Sequence, residues 1–318
     1  LVQNKPVDFF MTVFTEIDRV SHFYWHYMVN NDSNPNLKDA IKNIYIETDR
    51  VIGEILELIE DDTTLMIYSD HGFEQGKMDF YVQTYLKEIG LLHLKREPDD
   101  YVLEDTWFEY IGNNEKYTVD WDKTVAYMSA PGSYGINVNL AGRQEKGIVA
   151  PSEYEDVCQE IIEQLKLVIN PINNKPLFKK VVKGSSLYNG RFATLASDII
   201  MIPESWGVMV HHKITDGKIF NFHPEQKGMH SKDGMFLMYG NKIKNLKHKP
   251  PQDLRDIAPV ILDLFDVQIP LYMEGTSVFS LQEKKDTRII FERDNDQSSY
   301  SDEEQGEIKE RLKNLGYL

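Results

Sequence analysis

An apolar run that stops abruptly at Ser69-Asp70-His71-Gly72 sets the terms for the rest of the chain. Residues 64–68, Thr-Leu-Met-Ile-Tyr, are short, rich in large apolar side chains and preceded by the polar break Glu60-Asp61-Asp62. That pattern predicts a buried strand. In open α/β sheets, chemistry sits beyond the carboxyl ends of the strands, so Asp70 and His71 are expected at the reactive edge. Gly72 allows an immediate turn, which lets the two side chains converge. A carboxylate and an imidazole together suit a zinc-type metal site. The same residues also make an ordinary polar turn in which Asp70 caps the next segment, and this stretch alone does not separate the two readings.

A second exit of the same kind lies upstream. Residues 9–15, Phe-Phe-Met-Thr-Val-Phe-Thr, are β-branched and aromatic and predict a strand. Glu16-Ile17-Asp18-Arg19-Val20-Ser21-His22 follows. A helix through Asp18 puts positions 18 and 22 one turn apart on one face, where both can grip one ion. His26 stands a further turn along, but Phe23, Tyr24 and Trp25 around it suit a packed histidine. After Pro35, the residues Leu37, Ile41, Ile44, Val51, Ile55 and Leu58 recur at helical spacing up to Ile59. Strand, helix, strand predicts a right-handed parallel crossover, with both polar exits on one sheet edge.

Charge and cysteine usage narrow the class. A chain of 318 residues can bury a large core as one domain or two. Its net charge of −16 repels a long polyanion, so no nucleic-acid polymer is expected as a partner. Small phosphates remain eligible, because local cations reverse the field inside a cleft. Cys158 is the single cysteine, which excludes an intrachain disulfide and a cysteine-rich zinc module. A reducing, cytoplasmic location is expected from that usage. No apolar stretch is long enough to span a bilayer. Leu1-Val2-Gln3-Asn4-Lys5-Pro6 has neither an initiator Met nor signal-peptide order, and the chain is expected to be cut inside a domain.

Further along, residues 81–89 predict a helix ending near Gly90. Residues 96–121 are acidic and aromatic without a clear period, and read as an insertion, either a lid or a surface excursion. Residues 134–140 alternate as a strand, and Arg143 after them is a candidate phosphate contact or a plain surface charge. Pro151-Ser152-Glu153 opens a helix with Val157, Ile161, Ile162, Leu165 and Val168 on its apolar face. Residues 177–182 and 196–202 are further strand candidates. Four histidines follow, His211, His212, His223 and His230. His230 sits between Gly228 and Gly234, just before the strand-like residues 235–239, as a ligand candidate or an ordinary loop histidine. Residues 256–265 predict a short buried helix with Pro259 in its first turn. Residues 292–304 predict a charged linker, after which Ser301 and Glu304 make a capping box for a last helix.

Taken together, Asp18-Arg19-Val20-Ser21-His22, Ser69-Asp70-His71-Gly72-Phe73 and Gly228-Met229-His230 resemble the alkaline phosphatase superfamily, and most closely its type I phosphodiesterase/nucleotide pyrophosphatase branch. Gly142-Arg143, Gly147-Ile148-Val149 and the segment from Asp256 through Pro259 to Pro270 and Gly275 fit the same group. The resemblance implies an α/β fold, a three-layer sandwich with a mostly parallel central sheet, here lacking its N-terminal strand or strands. Residues 1–280 would form the core and residues 281–318 a linker and C-terminal helix. It implies a two-metal hydrolase of small phosphate esters, with two divalent ions, zinc or manganese. By the family pattern Asp18, His22 and His230 hold one ion, and Asp70 and His71 help hold the second. The remaining ligands, a strand-end Asp and the Thr or Ser nucleophile, are expected upstream of Leu1, because Asp8, Thr12 and Thr15 do not stand in the required context. The chain alone is then expected to be inactive, with the missing N-terminal part or a second copy as its partner. Such an enzyme neutralises the phosphoryl oxygens while a hydroxyl forms a covalent phospho-intermediate. Two other readings stay open, a non-catalytic metal- or ligand-binding module of the same fold, and a related phosphomutase or sulfatase.

Overall fold

The computed structural model describes residues 7–29, 34–96, 118–128, 133–190, 192–215, 217–222, 227–244 and 253–279, with 288–289, 306 and 309–310. In chain order its elements are α1 (Glu16–Val29), α2 (Ala40–Leu58), β1 (Leu65–Tyr68), β2 (Gly72–Gln75), β3 (Met78–Tyr81), α3 (Val82–Glu88), β4 (Leu94–Arg96), β5 (Thr118–Val119), β6 (Ala126–Tyr127) and β7 (Gly135–Val138). They continue with α4 (Tyr154–Lys166), β8 (Phe178–Lys183), β9 (Ile199–Pro203), β10 (Val208–His211), β11 (Phe220–Phe222), β12 (Gly228–Ser231), β13 (Phe236–Tyr239), α5 (Ile257–Leu264), β14 (Ile269–Pro270) and β15 (Arg288–Ile289). These form a mixed α/β architecture in two compact units, Leu1–Ile59 with His71–Met235, and Glu60–Asp70 with Phe236–Leu318.

The core of the first unit follows from two periodicities. An antiparallel sheet runs β6-β7-β9-β8. Alternate residues of β9, Ile199 and Met201, point inward with Ile136 and Val138 of β7. The stripe Cys158, Ile161, Ile162 and Leu165 on α4 recurs at helical spacing and is buried in the same cluster. A three-stranded sheet adds β3 at its centre, parallel to β10 and antiparallel to β11. Phe80 of β3 is fully buried and meets the rings of Tyr85, Phe178 and Phe220, so this sheet and the first share one core. A third, two-stranded ladder joins β2 to β12 antiparallel. Helix α1 packs against both α2 and β12.

In the second unit β1 pairs antiparallel with β13, and β14 pairs parallel with β15. Helix α5 follows a 3-10 turn at Leu254–Asp256, which is closed by a reciprocal capping box between Asp253 and Asp256.

Two expectations differ from what is observed. Residues 9–15 form no strand, and Phe9, Phe10, Met11, Val13 and Phe14 are exposed. Composition raises strand propensity, but a strand exists only where a ladder satisfies its backbone. Among the described residues the partner of β1 is the antiparallel β13, where a parallel neighbour was expected. Among the described residues the parallel pairs are β3–β10 and β14–β15. Most of the predicted insertion, residues 97–117, lies outside the described residues, but its ends meet as the antiparallel pair β4–β5. The predicted linker at 292–304 and most of the last helix also lie outside them, as does His223. Among the described residues no helix is long and apolar enough to cross a membrane.

Candidate metal centre

Helix α1 sets the first two candidate ligands. Asp18 and His22 lie one turn apart, with His22 Nε2 at 3.5 Å from Asp18 Oδ1. The ladder β2–β12 supplies the rest. His230 lies on β12, not in a loop, and its Nε2 is 3.1 Å from Asp18 Oδ1 and 2.9 Å from His22 Nε2. His71, just ahead of β2, places its Nε2 at 3.7 Å from the same oxygen and stacks on His230 with ring centroids 3.6 Å apart. Helix and ladder come this close at Gly228, while Gly72 admits the backbone just past β12. A Cβ on Gly228 would overlap the Ser21 carbonyl oxygen of α1, and one on Gly72 would overlap the Asp233 carbonyl oxygen. The freedom Gly72 supplies is thus close backbone approach, beyond the turn expected of it.

Hydrogen bonds fix the histidine tautomers. His22 Nδ1 lies 2.9 Å from the Gly228 carbonyl oxygen, and His71 Nδ1 lies 3.0 Å from the Gly72 carbonyl oxygen. A carbonyl only accepts, so each Nδ1 donates and each neutral ring keeps its Nε2 lone pair for the side facing Asp18. Burial opposes ionisation of Asp18, but the hydrogen bonds and charge that His22 and His230 bring when a proton occupies Nε2 outweigh it and hold the carboxyl well below the usual carboxylate range.

The donor set fits a divalent ion. Tetrahedral coordination with Zn–N and Zn–O bonds near 2.0–2.1 Å puts ligand atoms about 3.3 Å apart. The three separations within Asp18, His22 and His230 are 2.9, 3.1 and 3.5 Å. Two neutral imidazoles and an ionised carboxylate are the ligand forms such an ion requires. The side chains of Asp18 and His230 are 40% and 43% exposed, so the cluster is open to a small ligand.

The other candidates have different surroundings. Asp70 is exposed and belongs to the second unit. Arg143 is engaged by Asp198 through Nη1–Oδ1 and Nη2–Oδ2 at 2.7 and 2.6 Å, and Nη2 also donates to the Val138 carbonyl. The Tyr154 hydroxyl and the Val138 N–H donate to the same carboxylate. This is the geometry of a pair that locks β7, β9 and α4 together. His26 continues along α1 and packs against the Tyr27 ring, while buried His211 of β10 sits 3.3 Å from Asp79. Phe73, quoted in the motif but given no role by its residue type, contacts the rings of His22, His71 and His230. Its place depends on the β2–β12 ladder, which no local pattern announces.

No curated protein and no solved structure matches the chain significantly. The model of the family described as type I phosphodiesterase / nucleotide pyrophosphatase matches residues 1–234. That span holds Asp18, His22, His71 and His230, and the chain therefore belongs to the type I phosphodiesterase / nucleotide pyrophosphatase family.

Proposed function

We propose that this chain carries the metal-binding part of a hydrolase acting on small phosphodiesters or pyrophosphates. Family membership supports phosphate-ester hydrolysis. The observation that carries the metal reading is the direction of the imidazoles. His22 and His71 commit their N–H groups to backbone carbonyls and turn Nε2 toward Asp18. When the rings are neutral, those Nε2 lone pairs and the ionised carboxylate face one point, and a shared cation satisfies all of them. In this reading Asp18, His22 and His230 hold one divalent ion, zinc or manganese, and Asp70 and His71 contribute to a second. Bound ions of this kind neutralise charge on the phosphoryl oxygens and on the attacking and leaving oxygens.

The chain's own residues hold Asp18 ionised, fix two tautomers, and offer the cluster at an accessible face. We assign no nucleophile among its residues; a Thr or Ser hydroxyl is the type the reaction needs. The mixed α/β units are compatible with the family fold, and the alkaline-phosphatase-like sandwich around a mostly parallel sheet is part of this proposal. Residues 9–14, apolar and largely exposed, suit pairing with a further strand from an N-terminal segment or a second copy.

The deciding experiment is elemental analysis of the purified, dialysed protein. One zinc or manganese ion per chain is expected, held by the complete set of Asp18, His22 and His230, and His230→Ala should lose it while remaining folded by circular dichroism. A folded wild-type protein that retains no metal from zinc- or manganese-containing buffer would overturn the metal reading.

A further inference from the structure

We propose that Phe73 is a positioning residue of the metal centre, acting through the ring of His230. The inference rests on the metal reading above and deepens it.

Phe73 stands directly opposite His230 in the β2–β12 ladder. Opposed residues of an antiparallel pair project from the same face, with Cβ atoms in contact range. Phe73 therefore shares its face with His230, and α1 lays His22 against it. Its ring meets His22 at a centroid distance of 5.0 Å and 72°, and His230 at 5.3 Å and 77°. Both are edge-to-face arrangements of the kind aromatic rings prefer. His71 lies at 5.6 Å and 59°. Trp25 of α1 stacks on Phe73 at 6.2 Å and 23°, which backs the ring from another side.

The three imidazoles are not held alike. His22 and His71 each have a carbonyl at Nδ1. Among the described residues His230 hydrogen-bonds through Nε2 alone, to Asp18 and His22. Rotation about the histidine χ2 bond is broad and roughly two-fold, so a ligand ring needs a second restraint to keep Nε2 on target. For His230 that restraint is steric. His71 covers one face of its ring, 20° from coplanar, and Phe73 stands across it at 77°. Metal ligands usually take their orientation from a hydrogen bond to the non-ligating nitrogen; here a flat hydrocarbon does that work. Phe73 has no donor atom, so any effect on metal binding must pass through the histidines.

The test measures zinc affinity of the 318-residue chain by competition with a chromophoric chelator, together with the visible absorption of its Co(II) form. Phe73→Leu keeps apolar bulk in a position that is only partly buried but removes the flat ring, and Phe73→Met repeats the test should the leucine variant fail to fold. Loss of an orienting partner typically weakens metal binding about 10- to 100-fold. That loss is expected for both variants, with an altered Co(II) spectrum, while Phe73→Tyr restores affinity and spectrum. Leu165→Ala, which opens a cavity in the α4 core instead, should lower stability yet keep wild-type affinity. Wild-type affinity and spectrum in a folded Phe73→Leu or Phe73→Met variant would overturn the role of Phe73 and leave the metal centre standing. Equal affinity loss in Leu165→Ala would overturn it too, by showing that affinity merely follows stability. No zinc binding by the folded wild type would overturn the metal reading itself.

Discussion

Asp198 gathers four donors on one carboxylate: both Nη atoms of Arg143, the Tyr154 hydroxyl and the Val138 N–H. Its side chain is 3% exposed, while that of Arg143 is 35% exposed. Burial by itself raises the pKa of Asp198, but these donors outweigh it and hold the carboxyl below the usual range. The folded value therefore lies below the unfolded value of about 3.9. Stability from this group is fully present above about pH 4 and is lost as pH falls through the folded value. Asp198→Asn should cost about 3 kcal/mol at neutral pH, the low end for breaking a buried pair, because Arg143 retains access to water. At a pH below about 4 the gap between the two proteins should shrink, and it closes once pH has fallen through the folded value. Urea unfolding at neutral and at acid pH checks this; a variant as stable as wild type at neutral pH contradicts it. The same pair shows what residue types reveal. Asp18, His22, His71 and His230 were legible as candidate ligands because a carboxylate and imidazoles recur where the expected strands and helix end, and the structure brings the four together. Arg143 was ambiguous because its partner lies 55 positions away, and Phe73 was silent because an aromatic residue fits any core.

Helix α1 and strand β12 make the centre a property of two elements in contact, and Gly228 is the point of contact. Its carbonyl receives the His22 N–H, and its missing side chain leaves room for the Ser21 carbonyl and for Trp25, whose Cε3 would be 3.1 Å from an added Cβ. Gly228→Ala must push helix and strand apart. Overpacking of this kind costs about 1–3 kcal/mol, and separating His22 from His230 should weaken zinc binding at least about tenfold. Chemical denaturation and chelator competition on one sample measure both, and unchanged zinc affinity would mean the glycine is a packing detail without bearing on the centre. At this scale the sequence was informative wherever an element carries its own period. Helices α2, α3, α4 and α5 and strands β1, β7, β8, β9 and β13 fall within or beside the expected segments. Strands β2, β3, β11 and β12 were not foreseen. Each is four residues or shorter, and its pairing comes from chain far away in sequence, so no local alternation marks it. Residues 9–15 failed the opposite way, with strong propensity and no ladder.

Across the whole molecule two electrostatic responses should be separable. The net charge of −16 means the folded chain repels itself. Raising ionic strength from 0.01 to 0.15 M shortens the screening length from about 30 to about 8 Å, so the thermal midpoint should rise with added sodium chloride. That response belongs to the summed charge and needs no particular residue. Divalent metal acts differently. At a free concentration about 100 times its dissociation constant, an ion bound only by the folded state adds about 2.7 kcal/mol, at micromolar levels that leave ionic strength unchanged. Asp18→Asn removes one charge from the total and one ligand from the centre. It should therefore keep nearly all of the salt response and lose the response to zinc or manganese measured in 0.15 M salt. If the variant were stabilised by metal as much as wild type, the ion would be acting on scattered surface carboxylates, and the cluster of Asp18, His22 and His230 would not be its site. If both responses vanished together, the midpoint would be reporting the local charge of the cluster rather than the charge of the chain. The size of the charge was readable from composition. Its division into a diffuse field and one focused centre was not, because that depends on which few of 51 acidic residues the fold turns toward histidines.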